Sequence, residues 1–228
     1  MDSPLITYNK NKANASSKRP EFNREFEKLY INTSPGMYKD GLGETNEESA
    51  VLALGKFIPG KIYTFDYDPI YKDILSYYDR KPVIFVNNIF RAETTGNDIV
   101  TGVNLNFLPE IARAQALEIF WQNFKAEIQK SEESAENGKI NLAINKILGF
   151  FKDWVSVLKV YNGGGGLGYQ YAYRNYAISN IKGLRYIEYN HWEMIPFLSP
   201  QFFNGTSAEE IHKMYWTQQV NLNKKLPK

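Results

Sequence analysis

The chain of 228 residues is long enough to bury a core as one domain with extensions, and its net charge of +2 makes no electrostatic claim by itself. The absence of cysteine excludes a disulfide framework and a thiolate metal site, which suits a reducing compartment or a particle assembled in one. No apolar run approaches the roughly 18 residues of a membrane span and no charged-then-apolar segment opens the chain, so neither a span nor a signal segment is expected.

Charge is spread unevenly. From Phe151 onward nine Lys/Arg stand against five Asp/Glu, a tilt weaker than a nucleic-acid footprint usually is. Aromatic residues make up 15% of the chain, with 16 tyrosines. Such rings favour contact surfaces, because they bury large area while the hydroxyl still finds a partner; an AT-rich coding sequence would enrich Asn, Lys, Ile and Tyr equally well.

Residues 1–58 read as an N-terminal arm. Met1 to Pro20 is polar, Asn/Lys/Ser-rich and aperiodic, and is expected to be disordered alone. Phe22, Phe26 and Leu29 fall at helical spacing and predict a short amphipathic helix from Glu21 to Tyr30. Thr33 to Glu48 is rich in turn formers and reads as loop, while apolar Val51 to Ile58 fits a strand or a short turn of helix. An extended arm of this kind usually wraps a neighbour, which makes Phe22 and Phe26 interface candidates.

Residues 59–109 read as an antiparallel β unit. A Pro59-Gly60 turn launches an alternating strand with Tyr63, Phe65 and Tyr67 on one face and Ile62, Thr64 and Asp66 on the other. Asp68-Pro69 ends it. Pro82 to Val86 is apolar and predicts a strand buried on both faces. Val100 to Phe107 alternates again, with Val103, Leu105 and Phe107 inward.

Residues 110–160 change period. Pro109 and Glu110 make a good helix start, and Ile111, Ala114, Leu117, Phe120, Trp121, Phe124 and Ile128 follow at spacings of three and four. After a charged break, Ile140 to Leu158 predicts a second amphipathic helix, so the pair reads as a helical hairpin. Residues 161–228 open on a glycine cluster and continue with a Tyr/Arg-rich run. Strands are predicted over Leu184 to Tyr189 and Trp192 to Leu198, then a helix opened by a Ser207/Glu210 capping box and running to about Gln219.

Four groups of residues are candidates for chemistry. Gly163, Gly165 and Gly168 formally match G-x-G-x-x-G, but a helix precedes them where a dinucleotide fingerprint needs a strand, so they read as a linker. Asp66, Asp68, Asp73 and Asp79 could hold an oxygen-coordinated cation, yet their spacing matches no EF-type loop and they read as caps and turn formers. His191 beside Glu193 could form an acid/base couple, without a nucleophile motif to serve; His212 lies within the last helix. Tyr169, Tyr171, Tyr173, Arg174, Tyr176 and Arg185 suit a protein interface, or stacking on bases and pairing with phosphates. No catalytic residue, metal or cofactor is expected.

The stretch PGKIYTFDYDPIYKDILSYYDRKPVIFV, followed by GVNLNFLPEIARAQAL, resembles a group of tailed-bacteriophage virion proteins. Its members read Pro-Gly-x-x-Tyr-x-Phe-x-Tyr-Asp-Pro, then Tyr-Tyr-Asp-x-x-Pro, then Gly-x-Asn-x-x-Tyr-Leu-Pro; here Phe107 stands in place of the last tyrosine. RYIEYNHWEMIPFLSPQFFNG is similar to a second block of the group, with Ser199 a departure. Members are labelled structural, head-completion or DNA-end-protector proteins. The resemblance implies a virion component of α+β class, with a small SH3-like β unit and a helical hairpin, and no enzyme activity. The resemblance does not say which ring or layer; the expectation is a component assembled in the host bacterial cytoplasm as a ring in the neck or tail near the portal, contacting portal, tail or neck proteins and its own copies. The alternative it leaves is a DNA-terminus binding protein packaged with the genome end.

Overall fold

A computed structural model describes residues 3–31, 57–58, 60–70, 72–122 and 172–223. Five strands form one antiparallel sheet: β1 (Ile62–Tyr67), β3 (Val83–Arg91), β4 (Asp98–Asn104), β5 (Tyr173–Ala177) and β6 (Ile181–Ile187), in the spatial order β5-β4-β3-β1-β6. A small ribbon pairs β2 (Tyr78–Asp79) with β7 (Phe203–Asn204). With the helices described below, the class is α+β as expected.

The alternation of β1 is realised: Ile62 enters one core, and Tyr63 and Phe65 the other. Pro82 to Val86 is buried on both faces, Val83 and Phe85 facing the first core and Ile84 and Val86 the second. Val103, Leu105 and Phe107 are buried as expected, although Leu105–Phe107 is a turn of 3-10 helix and not strand. Asn104 caps that turn by accepting from the Asn106 N–H at 3.0 Å.

The β unit extends beyond residues 59–109, since two of its five strands come from 173–187. β5 and β6 occupy opposite edges of the sheet, yet only Ile178–Asn180 separates them. Four Cα steps reach at most about 14 Å, whereas the edges of a flat five-stranded sheet lie about 19 Å apart. The sheet must therefore curl until its edges approach. A bulge between Val86 and Asn88 bends β3 against β4. Gly102 sits opposite, where any Cβ would collide with the Phe85 carbonyl. The second core, with Tyr63, Phe65, Ile84, Val100, Tyr176 and Ile178, lies within this curl.

The first core lies on the sheet's outer face, under the helices. Helical residues 110–122 (α3) begin where the Arg113 N–H donates to the Pro109 carbonyl, and they stack Phe120 on Phe85 at 3.6 Å between centroids. The C-terminal helix α4 (Ala208–Asn223) has the expected reciprocal cap: Glu210 N–H donates to Ser207 Oγ and Ser207 N–H to Glu210 Oε2, both at 3.2 Å. It runs past the anticipated end and buries Ile211 and Tyr215.

Two expectations are corrected. Met1 to Pro20 was expected to be disordered, but from Ser3 onward this segment is helical: α1 (Pro4–Asn11) and α2 (Ala15–Phe26) are joined by a 3-10 turn. Ser3 caps α1 with Pro4 at its first position, which suits a residue with no N–H to leave unpaired. The few apolar side chains are spaced to land on the C-terminal block: Tyr8 and Phe22 both pack on Phe197, at 5.4 and 5.3 Å between centroids. Composition showed the polar outer face and missed that docking. The second correction is Trp192 to Leu198, predicted as a strand. Tyr189–Phe197 is 3-10 helix, with Trp192 and then Met194 through Leu198 buried without alternation and Pro196 unable to donate to a ladder. The second helix of the predicted hairpin, the loop from Thr33 to Glu48 and the glycine cluster lie outside the described residues.

Candidate functional site

The two halves of the first sequence block meet at a buried carboxylate. Asp79, from β2, accepts from Asn104 and Asn106 at Oδ2 (3.0 and 2.8 Å) and from the Lys81 N–H at Oδ1 (3.0 Å). Asn104 Nδ2 also donates to the Tyr176 hydroxyl at 2.9 Å, and Asn106 Nδ2 to the Lys81 carbonyl at 3.0 Å. Burial pushes the Asp79 carboxyl up, while these donors and the positive charge of Arg113 pull it back. Arg113 is itself buried and held down to about 10, its guanidinium donating to the carbonyls of Leu108 and Leu198 at 2.7 and 2.6 Å. His212 reaches the Asn106 carbonyl at 3.1 Å, and burial lowers its pKa to about 4. Every strong acceptor and donor here is turned on the chain itself. The network clamps the β2 turn to β4, β5 and α4.

The outward side of the same turn is different. Arg80 and Lys81, next to Asp79, line a cleft of about 340 Å³ together with Asp66, Tyr67, Asp68, Asn180, Lys182 and Phe202. Its walls are four chain stretches tied by backbone hydrogen bonds. Tyr67 N–H donates to the Arg80 carbonyl at 2.9 Å, Arg80 N–H to Phe202 at 3.0 Å, and Asp68 N–H to Asn180 at 3.3 Å. A register shift between Thr64 and Asp66 breaks the β1–β6 ladder beside the cleft. On β6, Gly183 adopts φ +58°, and a Cβ there would press to 3.2 Å from the Asp66 carboxylate.

Charge in the cleft is lopsided. Asp66 is ion-paired with Lys81, and Asp68 with Lys72 at 3.1 Å. Arg80 commits only its Nε, to the Phe202 carbonyl at 3.4 Å, and Lys182 makes no ion pair among the described residues. Both are exposed. The Lys81 ammonium lies 5.7 Å from the Phe202 ring centroid, and Tyr67, raised by burial, is hydrogen-bonded to Ala177 and Asn180. The cations and rings here have the chemistry that anions and flat rings complement.

The interface candidates are dispersed. Phe22, Phe26 and Tyr176 are buried in the chain's own cores, so their rings offer no free face to a partner. Tyr173 is half-buried and its hydroxyl accepts from Asn87 Nδ2. Arg174 lies over the Phe107 ring at 4.3 Å. Arg185, half-buried, donates to the Gly183 carbonyl at 3.3 Å, near the cleft rim. Tyr169 and Tyr171 lie outside the described residues. His191 pairs with the Tyr30 hydroxyl. Among the described residues no three metal-binding side chains gather to hold an ion. Arg80, Lys81, Lys182 and Phe202 were not among the residues expected from the sequence; their only signal is that Arg80-Lys81 and Phe202 fall within the two blocks of the phage resemblance.

Residues 51–161 match the family model of the phage T4 terminal DNA protecting protein. That span takes in β1 to β4, Asp79 with its donors Lys81, Asn104 and Asn106, and the Arg80-Lys81 wall of the cleft. Over it the chain is similar to phage-associated proteins of the DNA-end-protecting kind; the match assigns no place in a neck or tail. A comparison with curated proteins gave no match, and one with solved structures gave none. Among the described residues no helix is long and apolar enough to cross a membrane.

Proposed function

We propose that this chain binds the ends of phage DNA and shields them from exonucleases. The observation that carries the reading is the family match over residues 51–161. An exonuclease must engage a free terminus, so a protein that occupies the terminus protects it without making or breaking a bond. No enzyme activity of the chain is needed. The exposed cations at the cleft supply the attraction to phosphate, and the modest net charge of +2 keeps binding to duplex interiors weak.

The test is digestion of linear duplex DNA by 5′→3′ and 3′→5′ exonucleases with and without the protein, with closed-circular DNA as binding competitor. Protection of the linear DNA that the circle fails to compete away is the expected result. Digestion at an unchanged rate, or equal affinity for circle and linear DNA, overturns the reading.

A second reading, attachment within the virion as part of a neck or tail ring, is favoured by one feature. The loop between β1 and β2 exposes Ile70, Ile74 and Leu75, at 64%, 80% and 44% of their surface, three apolar side chains that a protein partner could cover. Co-sedimentation with intact particles, abolished in an Ile74→Asp variant, is the outcome this reading requires.

A further inference from the structure

We infer that the cleft between Arg80 and Lys182 is a pocket for a phosphorylated DNA terminus, taking the terminal nucleotide with its phosphomonoester. This rests on the end-binding reading and adds to it a site and a chemical preference.

Shape is the first argument. At about 340 Å³ the cleft lies at the small end of the range for small-molecule pockets. It is too small to seat a duplex, whose major groove alone is about 12 Å wide. A concavity of this size is filled by one nucleotide residue, which only a chain end or an unstacked base can present.

Charge is the second argument. The two carboxylates in the walls are each matched to a lysine, Asp66 to Lys81 and Asp68 to Lys72. Arg80 and Lys182 are thus the surplus, one on either side of the β1 end. An internal phosphodiester carries a single negative charge, whereas a phosphomonoester carries about −1.5 to −2 near neutrality and presents three acceptor oxygens. The planar guanidinium of Arg80 suits bidentate contact with such a group, and the ammonium of Lys182 adds a point charge.

Rigidity and stacking complete the case. The residues that carry these groups are bound to one another through the backbone, so the cations are held on a fixed frame and little ordering is needed on binding. The half-buried ring of Phe202 lies in the same wall and offers a face for the terminal sugar and base.

The experiment is fluorescence anisotropy of the full chain with short duplexes that differ only in a 5′-phosphate, a 3′-phosphate or hydroxyl ends, at fixed salt. Tighter binding of one phosphorylated end, by about tenfold or more, is expected, and which end wins identifies the strand polarity. Arg80→Gln with Lys182→Gln should abolish that preference, while Arg24→Gln, on the exposed face of α2, should leave it intact. If hydroxyl and phosphorylated ends bind alike while exonuclease protection persists, the pocket is refuted and end binding stands. If no end is bound or protected, both fall. A preference that survives the double variant puts the phosphate elsewhere and overturns the assignment.

Discussion

Asp79 and Arg80 are neighbours in one turn and serve opposite ends. Asp79 is 3% exposed and spends both carboxylate oxygens on its own chain, whereas Arg80 is exposed and gives only its Nε to a carbonyl. Asp79 ends the two-residue strand β2 and Arg80 follows it in a bend, so the two neighbouring side chains meet different surroundings. The lesson concerns motifs. In the run Tyr77-Tyr78-Asp79-Arg80-Lys81-Pro82 the acid builds the fold and Lys81 pairs with Asp66, while Arg80 makes no ion pair among the described residues.

The sharpest way to break that contrast is Asp79→Ala. It leaves the amides of Asn104 and Asn106 and the Lys81 N–H without their acceptor, at a cost of about 1–3 kcal/mol for each buried group left unpaired, partly offset by removing a buried charge. A loss of about 3 kcal/mol in urea unfolding is expected, and an unchanged midpoint would mean that the clamp contributes nothing. The effect carries a pH signature. Burial raises the folded-state pKa of Asp79, so the folded chain binds its proton more tightly than the unfolded chain does. The stabilisation from that proton is fully present at low pH. It is lost as pH rises from the ordinary aspartate value of about 3.9 through the raised one. The stability gap between wild type and Asp79→Ala should therefore narrow as pH rises through that window; a gap that widens would mean the carboxyl is depressed.

A smaller effect is expected where the N-terminal helices meet the C-terminal block. Asn23 donates to the Phe197 carbonyl at 3.2 Å and accepts from the Ser199 N–H at 2.8 Å, bridging α2 to the 3-10 segment with one amide. Asn23→Ala should cost about 1–2 kcal/mol, read by thermal melting. If α1 and α2 were a loose appendage, melting would not move at all.

The smallest change in stability belongs to the cleft. Arg80→Gln and Lys182→Gln remove exposed cations without a buried partner, and unfolding should shift by no more than about 0.5 kcal/mol. The same variants should make DNA binding less salt-dependent. The slope of log affinity against log salt should shrink by about 0.9 for every phosphate that is no longer neutralised. A large melting loss would move these residues to the structural side of the comparison.

The legible parts of the fold were those where local pattern and final burial coincide. The alternation of Tyr63, Phe65 and Ile62, the doubly buried Val83 to Val86 and the Ser207/Glu210 cap each depend on residues only a few positions apart. The 3-10 path of Tyr189–Phe197 was not legible, because its rings are buried by helices from both ends of the chain. Tyr173 and Tyr176 read as one tyrosine surface, yet three residues apart in a strand they face different cores. The cleft was the least legible feature. Its walls come from positions near 67, 80, 181 and 202, and their joining hydrogen bonds are made by backbone groups that no side-chain pattern reports.

The three-residue link Ile178–Asn180 has a consequence for how the chain is made. β6 is the strand that pairs with the outer side of β1, and it arrives more than a hundred residues after β1 leaves the ribosome. Until residue 177 has emerged β4 presents an unpaired edge, and until residue 187 has emerged so does β1, each a template on which strands of separate chains associate. Non-local pairings of this kind raise the contact order and slow folding. Vulnerability is thus concentrated in time: a nascent chain stalled before Ile187 should aggregate, and one released a few residues later should complete its five-stranded sheet and stay soluble.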